Sequence, residues 1–374
     1  MNIQRVVNAL ENRFFRYIDK RRGWKTDRKI VVIESDDWGS IRMPNREVYD
    51  AALAQGIAVD KCHYCKYDTL AAEDDLTAMF DVLRKHRDSE GKHPIITANT
   101  IVANPDFEKI KKDGFRQYHY ELFTDTLKRY PKRSFKLWEE GANEKLFHPQ
   151  LHGREHLNVG RWLTALQNSS KEQLFAFEHQ FFGISKTISN ENNPSFMAAL
   201  DYDDELSRLF GNESIDDACE IFEDIFGFKS KSFIGPNYFW HDDTEAILAD
   251  KGIVYLQGGF VQKLPSGTKR HYLGELNSSN QYYLVRNVIF EPAGKPSEGL
   301  VQSALKQIAH SFNLNRPAII STHRVAFIGS IFEKNRTVNL RLLDELLTQV
   351  IKLWPNVEFM SSDQLGDLIS GTNQ

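Results

Sequence analysis

Apolar residues along this chain occur in two patterns that alternate. Short continuous apolar runs are typical of strands that are buried on both faces of a sheet. They predict strands at residues 30–33, 94–99, 146–151, 232–234, 253–256, 282–290, 318–322 and 357–360. Between these runs, apolar residues recur every three or four positions, which indicates helices. The predicted helices lie at residues 46–55, 73–87, 244–251, 297–312, 337–353 and 362–369.

Alternating strands and helices predict a mostly parallel sheet. We therefore expect an α/β protein, a distorted (β/α) barrel of about seven or eight mostly parallel strands, in a single domain over residues 1–374. Residues 160–227 carry helical patterns and few strand signals, which predicts a helical insertion on the barrel rim. Residues 257–281 predict a long loop or a hairpin. Residues 1–23 predict an amphipathic helix, and we favour docking on the domain over a membrane-surface anchor.

Composition excludes several classes of protein. The net charge of −4 and the pI near 6.3 show no basic bias, so no nucleic-acid partner is expected. No apolar run approaches the ~20 residues that cross a bilayer, and the N-terminus lacks the apolar core of a secretory signal. We therefore expect a cytoplasmic protein without a transmembrane segment. Cys62 and Cys65 could form half of a zinc site, but we favour reduced cysteines because structural zinc sites typically use four such ligands.

An acidic pair ends the first predicted strand. Asp36 and Asp37 follow the apolar run at residues 30–33, at the edge where parallel sheets carry their chemistry. Two adjacent carboxylates repel each other unless a cation or a shared proton compensates them. The pair therefore predicts a metal site. The alternative is a strand-end cap beside a surface charge.

Histidine recurs every fourth residue at His148, His152 and His156. If residues 152–156 form a helical turn, the last two imidazoles share a face and can bind one ion. The alternative is a pair of solvated helix histidines. His148 is interpreted as structural, with replacement of His152 in the ligand set as the alternative. His323 ends the predicted strand at residues 318–322, where a lone histidine would more often belong to the core.

Four short motifs, taken in order, resemble the polysaccharide deacetylase family, carbohydrate esterase family 4 with the NodB-homology fold. Residues 35–39 (Ser-Asp-Asp-Trp-Gly) are similar to the family's Thr-Phe-Asp-Asp-Gly motif. Residues 152–156 match the spacing of its His-Ser/Thr-x-x-His motif, and residues 234–237 resemble Arg-x-Pro-Tyr. Residues 321–323 are similar to the Leu-x-His at a strand end. The resemblance covers about residues 30–370 and implies the fold and the chemistry that follow.

The resemblance implies a divalent metal, expected to be zinc, with Asp37, His152 and His156 as its ligands. It implies that Asp36 is the general base, which takes a proton from the attacking water. It implies that His323 is the general acid, which protonates the leaving amine.

Candidate substrate-binding residues lie beside the motifs and at other strand ends. Trp38 and Tyr238, beside the motifs, are candidates to stack on a sugar ring, with a position in the core as the alternative. Asn99, at the end of the second predicted strand, could donate a hydrogen bond to substrate or be an ordinary turn residue. The metal and a backbone N–H near Asn237 or Tyr238 would hold the oxyanion. Arg286 completes the set of candidate substrate-binding residues.

Two motif residues of the family are absent. Ile234 occupies the place of the motif arginine, and the Asp-x-x-Asp-Trp motif has no convincing counterpart. Both absent residues orient the catalytic base in the family. Arg286 and Arg324 are candidates to replace the arginine. We expect Arg286 to lie within hydrogen-bonding distance of Asp36 and Arg324 to point away, because consecutive strand residues face opposite sides.

The expected function is that of a metal-dependent hydrolase. Its expected substrate is an N-acetylated sugar, a polysaccharide or a precursor, from which it removes an acetyl group. One alternative is the same metal site acting on a different amide or on an ester. Another is a non-catalytic barrel that binds glycan or scaffolds polysaccharide assembly.

Overall fold

A computed structural model describes residues 22–184, 186, 188–191, 194–294 and 296–372. The helix predicted over residues 1–23 therefore lies almost entirely outside the described residues. The strands are β1 (Lys29–Trp38), β2 (Ile96–Ile101), β3 (Ala103–Pro105), β4 (Tyr120–Leu122), β5 (Phe147–Gly153), β6 (Ser232–Phe233), β7 (Tyr255–Gly258), β8 (Val261–Leu264), β9 (Gly267–Arg270), β10 (Tyr282–Val285), β11 (Val288–Ile289), β12 (Ala318–His323) and β13 (Val357–Met360).

Helices follow most of the strands. They are α1 (Arg46–Ala54), α2 (His63–Tyr67), α3 (Glu73–Arg84), α4 (Phe107–Lys112), α5 (Phe123–Arg129), α6 (Lys136–Asn143), α7 (Val159–Gln167), α8 (Lys171–Glu178), α9 (Glu205–Phe226), α10 (Asp242–Asp250), α11 (Glu298–Asn313), α12 (Glu333–Leu353) and α13 (Ser362–Ser370). Among the described residues, no helix is long and apolar enough to cross a membrane.

One parallel sheet organises the fold. Its strand order is β10-β7-β6-β5-β2-β1-β12-β11, and β13 pairs with the beginning of β1. The sheet is curled, with helices around it, which makes the distorted α/β barrel that the sequence pattern predicted. The carboxyl ends of the parallel strands therefore meet at one rim.

The two edge strands of the sheet are joined directly in the sequence. Three Cα–Cα steps separate Val285 at the end of β10 from Val288 at the start of β11, so these edges lie within about 11 Å. The N–H of Arg286 bonds to Gly258 on β7, whereas the N–H of Asn287 bonds to Ile319 on β12. The prediction of one strand over residues 282–290 was therefore wrong. The run is split because the chain crosses from one edge of the curled sheet to the other.

The apolar run of β1 is buried on both faces. Val31 and Ile33 pack in one hydrophobic cluster, and Ile30 and Val32 pack in a second. Alternate side chains of a strand point to opposite faces, so a strand between two apolar layers needs no polar positions. The continuous pattern that predicted β1 has this physical cause.

Two segments leave the strand–helix alternation. Residues 160–227 contain most of α7 together with α8 and α9, as the predicted helical insertion requires. Strands β8 and β9 pair antiparallel, so residues 257–281 contain a hairpin. That both belong to a single domain with the barrel stays a prediction.

Candidate functional site

A cavity of about 380 Å³ opens at the carboxyl ends of the sheet strands. All five predicted catalytic and metal-binding residues line it, namely Asp36, Asp37, His152, His156 and His323. They arrive from β1, from the end of β5 with the loop that follows it, and from β12. The parallel sheet thus brings together side chains that are up to 287 positions apart in the sequence, from Asp36 to His323.

A β-bulge turns both aspartates of β1 toward the cavity. Ser35 pairs with Ala98 and Trp38 pairs with Thr100, so β1 has one residue more than β2 between these pairs. In a regular strand, Asp36 and its neighbour would face opposite sides. Asp37 instead adopts a left-handed φ of 73°, and both carboxylates line the cavity. A strained non-glycine backbone of this kind is common at functional sites.

A second bulge presents His152. Thr100 on β2 pairs with Leu151, but the next residue, Ile101, pairs with Gly153, so His152 is the extra residue of β5. His156 lies in the loop after this strand. Residues 152–156 therefore do not form the helical turn that was one way to bring the two imidazoles together. The two imidazoles meet because one ends a strand and the loop folds back, with ring centroids 5.2 Å apart.

Asp37, His152 and His156 form a buried cluster in which each side chain offers one atom that can bind the same ion. Within the described ranges, these are the residues whose donor atoms lie close enough together for this. Oδ1 of Asp37 lies 3.5 Å from Nε2 of His152 and 3.3 Å from Nε2 of His156. Tetrahedral zinc ligands at bond lengths near 2.0–2.1 Å stand about 3.3 Å apart. The donor set and its spacing therefore fit a divalent metal.

A hydrogen bond orients the imidazole of His152 toward the proposed position of the metal. Nδ1 of His152 is 2.8 Å from the carbonyl oxygen of Ile234, so this nitrogen donates and Nε2 keeps its lone pair. The buried Nε2 has no hydrogen-bond partner within the described part of the chain. A buried nitrogen of this kind is free to bind a metal.

Burial and charge keep the other two donors in the form that binds a metal. Burial lowers the pKa of His156 to about 3, although Asp37 acts in the opposite direction, so the ring is neutral at pH 7. Burial also acts to raise the pKa of Asp37. The neighbouring His156 and His152, together with the cationic Arg42, outweigh this and hold that pKa well below its usual range, so the side chain is a carboxylate.

Asp36 is held by Arg286, as the sequence predicted. Nη1 of Arg286 donates to Oδ2 at 2.7 Å, and Nη2 donates to Oδ1 at 2.6 Å. Nδ2 of Asn99 donates to the same Oδ1 at 2.7 Å. Burial acts to raise the pKa of Asp36, but the guanidinium outweighs it and holds this pKa well below its usual range. The carboxylate is therefore ionised, and it lines the cavity.

Glu34 is a second carboxylate that binds the same guanidinium, and it was missed in the sequence. Its Oε2 accepts from Nε of Arg286 at 2.5 Å, and its Oε1 accepts from the hydroxyl of Ser362 at 2.7 Å. Glu34 is completely buried on β1, two residues before Asp36 and on the same face. A glutamate within a run of buried strand residues was the available signal, since carboxylates are rarely buried without a partner.

His323 lies beside Asp36, its register partner on the neighbouring strand, and is bonded to Glu291. Nδ1 of His323 is 2.5 Å from Oε1 of Glu291, and Nε2 is 3.7 Å from Oδ2 of Asp36. Burial acts to lower the pKa of His323, but Glu291 outweighs it and raises this pKa to about 10. The imidazole is therefore protonated at neutral pH. Glu291 was also missed, because it follows β11 in a segment that carries no recognisable motif.

The turn after β6 forms the wall beside the metal ligands. Asn237 is exposed, Tyr238 is half-buried, and both have a left-handed φ of 59°. Both line the cavity, as expected for residues that contact substrate. The N–H of Tyr238 bonds to the carbonyl of Gly235 at 2.9 Å, which leaves the amide of Asn237 as the candidate oxyanion donor of the two.

Three predicted substrate-binding residues do not line the cavity, namely Trp38, Asn99 and Arg286, whose guanidinium is bound to Glu34 and Asp36. Trp38 is 1% exposed, and its ring packs edge-on against Trp138 and Phe147 in the core. Because it is past the bulge, it faces the helices instead of the cavity. Asn99 is completely buried and donates to Asp36 and Gln257, so it supports the carboxylate and does not line the cavity.

The two remaining candidates, His148 and Arg324, contact residues outside the proposed site. His148 lies 3.2 Å from Asp363 and stacks on Phe228, at the opposite end of β5 from the cavity. Arg324 is completely buried and donates to both oxygens of Asp68, away from Asp36 as expected.

Neither a protein-family model nor a curated protein matches the sequence. Among solved structures, the chain is similar to a protein from Mycobacterium smegmatis assigned as a polysaccharide deacetylase, at 11% identity, over 94% of this chain and 93% of that chain, with a TM-score of 0.48. It is similar to Puue allantoinase at 9% identity, over 94% and 93% of the two chains, with a TM-score of 0.48. It is also similar to the peptidoglycan deacetylase PdaC from Bacillus subtilis at 10% identity, over 92% and 93%, with a TM-score of 0.37.

The chain resembles polysaccharide deacetylases in structure, as its motifs predicted. At identities of 9–11% and TM-scores of at most 0.48, the similarity concerns the fold alone, and a fold does not determine the reaction.

Proposed function

We propose that this protein is a metal-dependent hydrolase that removes the acetyl group from an N-acetylated sugar, a polysaccharide or a precursor of one. The observation that carries the proposal is the placement of two adjacent aspartates in two different environments. Asp37 faces two imidazoles, whereas Asp36 faces a guanidinium and lies 3.7 Å from a protonated histidine, His323. Two carboxylates whose surroundings differ in this way can take different roles, one as a metal ligand and the other as a catalytic base.

The metal would be held by Asp37, His152 and His156, and zinc suits this set of oxygen and nitrogen donors. When bound, a divalent metal at this position supplies Lewis acidity, which makes a water acidic near neutral pH and polarises the acyl carbonyl. With three protein donors, the site would leave room for a water or a substrate atom on the metal, as catalytic zinc sites do.

The chain's own residues would move the protons. Asp36 accepts the proton of the attacking water at Oδ2, and Arg286 keeps that carboxylate ionised and correctly oriented. The amide of Asn237 stabilises the negative charge on the carbonyl oxygen. His323 donates its Nε2 proton to the leaving nitrogen as the C–N bond breaks. Water and the N-acetyl amide are thereby converted into acetate and an amine.

Arg286 and Glu291 bear on the non-catalytic alternative. That alternative depended on the absence of the motif arginine and of the motif aspartates. Arg286 forms two charged hydrogen bonds to Asp36, and Glu291 forms one to His323, so a base and an acid both have a charged partner. A barrel that only binds glycan would not need either pair, which supports the enzyme.

The proposal is tested by acetate release from a panel of N-acetylated sugars. The protein is assayed as purified, after removal of metal with a chelator, and after reloading with Zn²⁺. We expect acetate only from the purified and reloaded protein. No acetate from any sugar while zinc is bound would contradict the deacetylase, and release of a different acid or amine from other amides or esters would indicate the alternative substrate.

A further inference from the structure

One cationic side chain in the cavity wall has no part in the proposed hydrolysis. Arg42 follows β1 and lines the cavity together with Asp37 and the two histidines of the metal site. It is only 8% exposed. A guanidinium so deeply buried normally forms several hydrogen bonds, because its five N–H donors are costly to leave without acceptors.

The guanidinium of Arg42 has no oxygen acceptor within hydrogen-bonding distance among the residues that the structure describes. Nη2 is 3.9 Å from Oδ2 of Asp37, and Nε is 3.9 Å from Oδ2 of Asp68. Nη1 is 3.0 Å from the sulfur of Met197, a weak acceptor. The buried Nε has no hydrogen-bond partner within the same described ranges. Most of its donors therefore remain available.

The two nearby carboxylates do not account for Arg42. Asp68 accepts two hydrogen bonds of 3.0 Å from Arg324, so it already has a cationic partner. Asp37 faces the imidazoles of the metal site. A fixed positive charge 3.9 Å from this ligand repels a divalent cation, so Arg42 weakens metal binding when no anion is near. An anion in the cavity would relieve this repulsion and satisfy the free donors.

We propose that Arg42 binds an oxyanion of the substrate, a carboxylate or a phosphate carried by the same molecule as the acetyl group. Arg42 thereby selects acidic N-acetylated sugars over neutral ones. The acetylated sugar rests on the proposed function, whereas the anion site rests on the surroundings of Arg42 alone. Guanidinium groups bind carboxylate and phosphate through paired N–H donors, which makes this recognition specific as well as strong.

The helical insertion fixes the guanidinium from the other side. Gly183 and Met197 belong to this insertion and line the cavity. A Cβ added at Gly183 would lie 2.9 Å from Nη1 of Arg42 and 2.7 Å from the Met197 sulfur, so the three groups are closely packed. The ring of Tyr64 lies 5.4 Å from Cζ of the same guanidinium. A side chain held on several sides is positioned before substrate arrives, which lowers the entropic cost of binding.

The test compares the affinities of three sugars that differ at one carbon. They are N-acetylglucosamine, its 6-phosphate and the corresponding 6-carboxylate, N-acetylglucosaminuronic acid. Affinities are measured by calorimetry on the full-length, metal-containing protein that carries Asp36→Asn, so that turnover does not interfere. We expect at least one acidic sugar to bind about tenfold or more tightly than the neutral sugar. The tighter of the two acidic sugars identifies the phosphate or the carboxylate as the preferred group.

Three further variants assign the preference to Arg42. Arg42→Met and Met197→Glu should both reduce it to about unity, the first by removing the cation and the second by placing a carboxylate beside it. Arg46→Met is the matched control, because this exposed arginine pairs with Asp50 outside the cavity and should leave the preference unchanged. Thermal melting verifies that each variant is folded, and the second variant serves if the first is not.

Equal affinity for the three sugars, or a preference that survives in both folded variants, overturns the proposal. Weak binding of all three sugars overturns it as well. The acetate assay on the wild type reports separately on the proposed function, so a failure of deacetylation is distinguishable from a failure of anion selection.

Discussion

Arg286 donates to both carboxylate oxygens of Asp36, with N–O distances of 2.7 Å and 2.6 Å, although the two residues lie 250 positions apart. The arginine reaches the site because it stands where the chain crosses between the two edges of the curled sheet. A planar guanidinium fixes both the charge and the orientation of a carboxylate. The closure of the barrel and the support of the proposed base therefore depend on the same short segment.

The first prediction concerns this pair. Arg286→Lys keeps a positive charge but loses the paired donors, so we expect turnover to fall about 10–100-fold while metal content is unchanged. Turnover is measured as acetate release and metal content by elemental analysis. Arg28→Lys is the control, because Arg28 also pairs with a carboxylate but lies on the exposed surface. Loss of metal in Arg286→Lys would contradict this prediction, because it would show that Arg286 supports the metal site as well as Asp36.

The second prediction concerns the proposed metal ligands. His152→Ala and His156→Ala should each weaken metal binding more than about 100-fold, because one of three protein donors is lost. Cys62→Ser and Cys65→Ser are the controls. Cys62 lines the same cavity, but the two cysteines are not part of the metal-binding cluster. Metal loss in the serine variants with retention in the alanine variants would place the metal elsewhere.

The third prediction concerns pH. Glu291 raises the pKa of His323 to about 10, since a nearby carboxylate favours the protonated ring. A proposed general acid must be protonated, so activity should be lost as the pH rises through this pKa. Glu291→Gln removes the negative charge and lowers the pKa of His323, which should move the alkaline limb of kcat to lower pH. The profile is measured between pH 6 and 11. If the alkaline limb stays in place, Glu291 does not control the titration of the general acid, which contradicts this prediction.

The fourth prediction concerns the fold around β1. Gly39 has a φ of 80°, and a Cβ at this position would lie 2.1 Å from the carbonyl oxygen of Ile101. Gly39→Ala should therefore lower the free energy of unfolding by about 2–4 kcal/mol, as measured by denaturant titration. Gly160→Ala on α7 is the matched control, because no atom lies within 4 Å of the added Cβ. It should leave stability unchanged or raise it by up to about 1 kcal/mol.

The sequence predicted what depends on local pattern. Continuous apolar runs located most sheet strands, and the end of such a run identified Asp36, Asp37 and His323 as cavity residues. The same kind of pattern led to Arg286, because a predicted strand precedes this residue. The positions of these residues relative to the carboxyl ends of parallel strands could be inferred without coordinates.

What depends on register and on distant partners could not be predicted. The bulges that expose Asp37 and His152 are set by pairing with neighbouring strands, so the sequence gives no sign of them. The same bulge places Trp38 in the core instead of the cavity. Glu291 and Arg42 were missed because their significance depends on side chains that lie far from them in the sequence.

The most direct test of the proposed mechanism compares Asp36→Asn with Asp37→Asn, two identical changes at neighbouring positions. Metal content and acetate release are measured for both variants and for the wild type under the same zinc loading. Asp36→Asn should bind metal like the wild type and lose about 10²–10⁴-fold in turnover, because an amide cannot accept the proton. Asp37→Asn should lose both metal and turnover. Metal loss in Asp36→Asn, or full turnover in either variant, would contradict the assignment of one aspartate as base and the other as ligand.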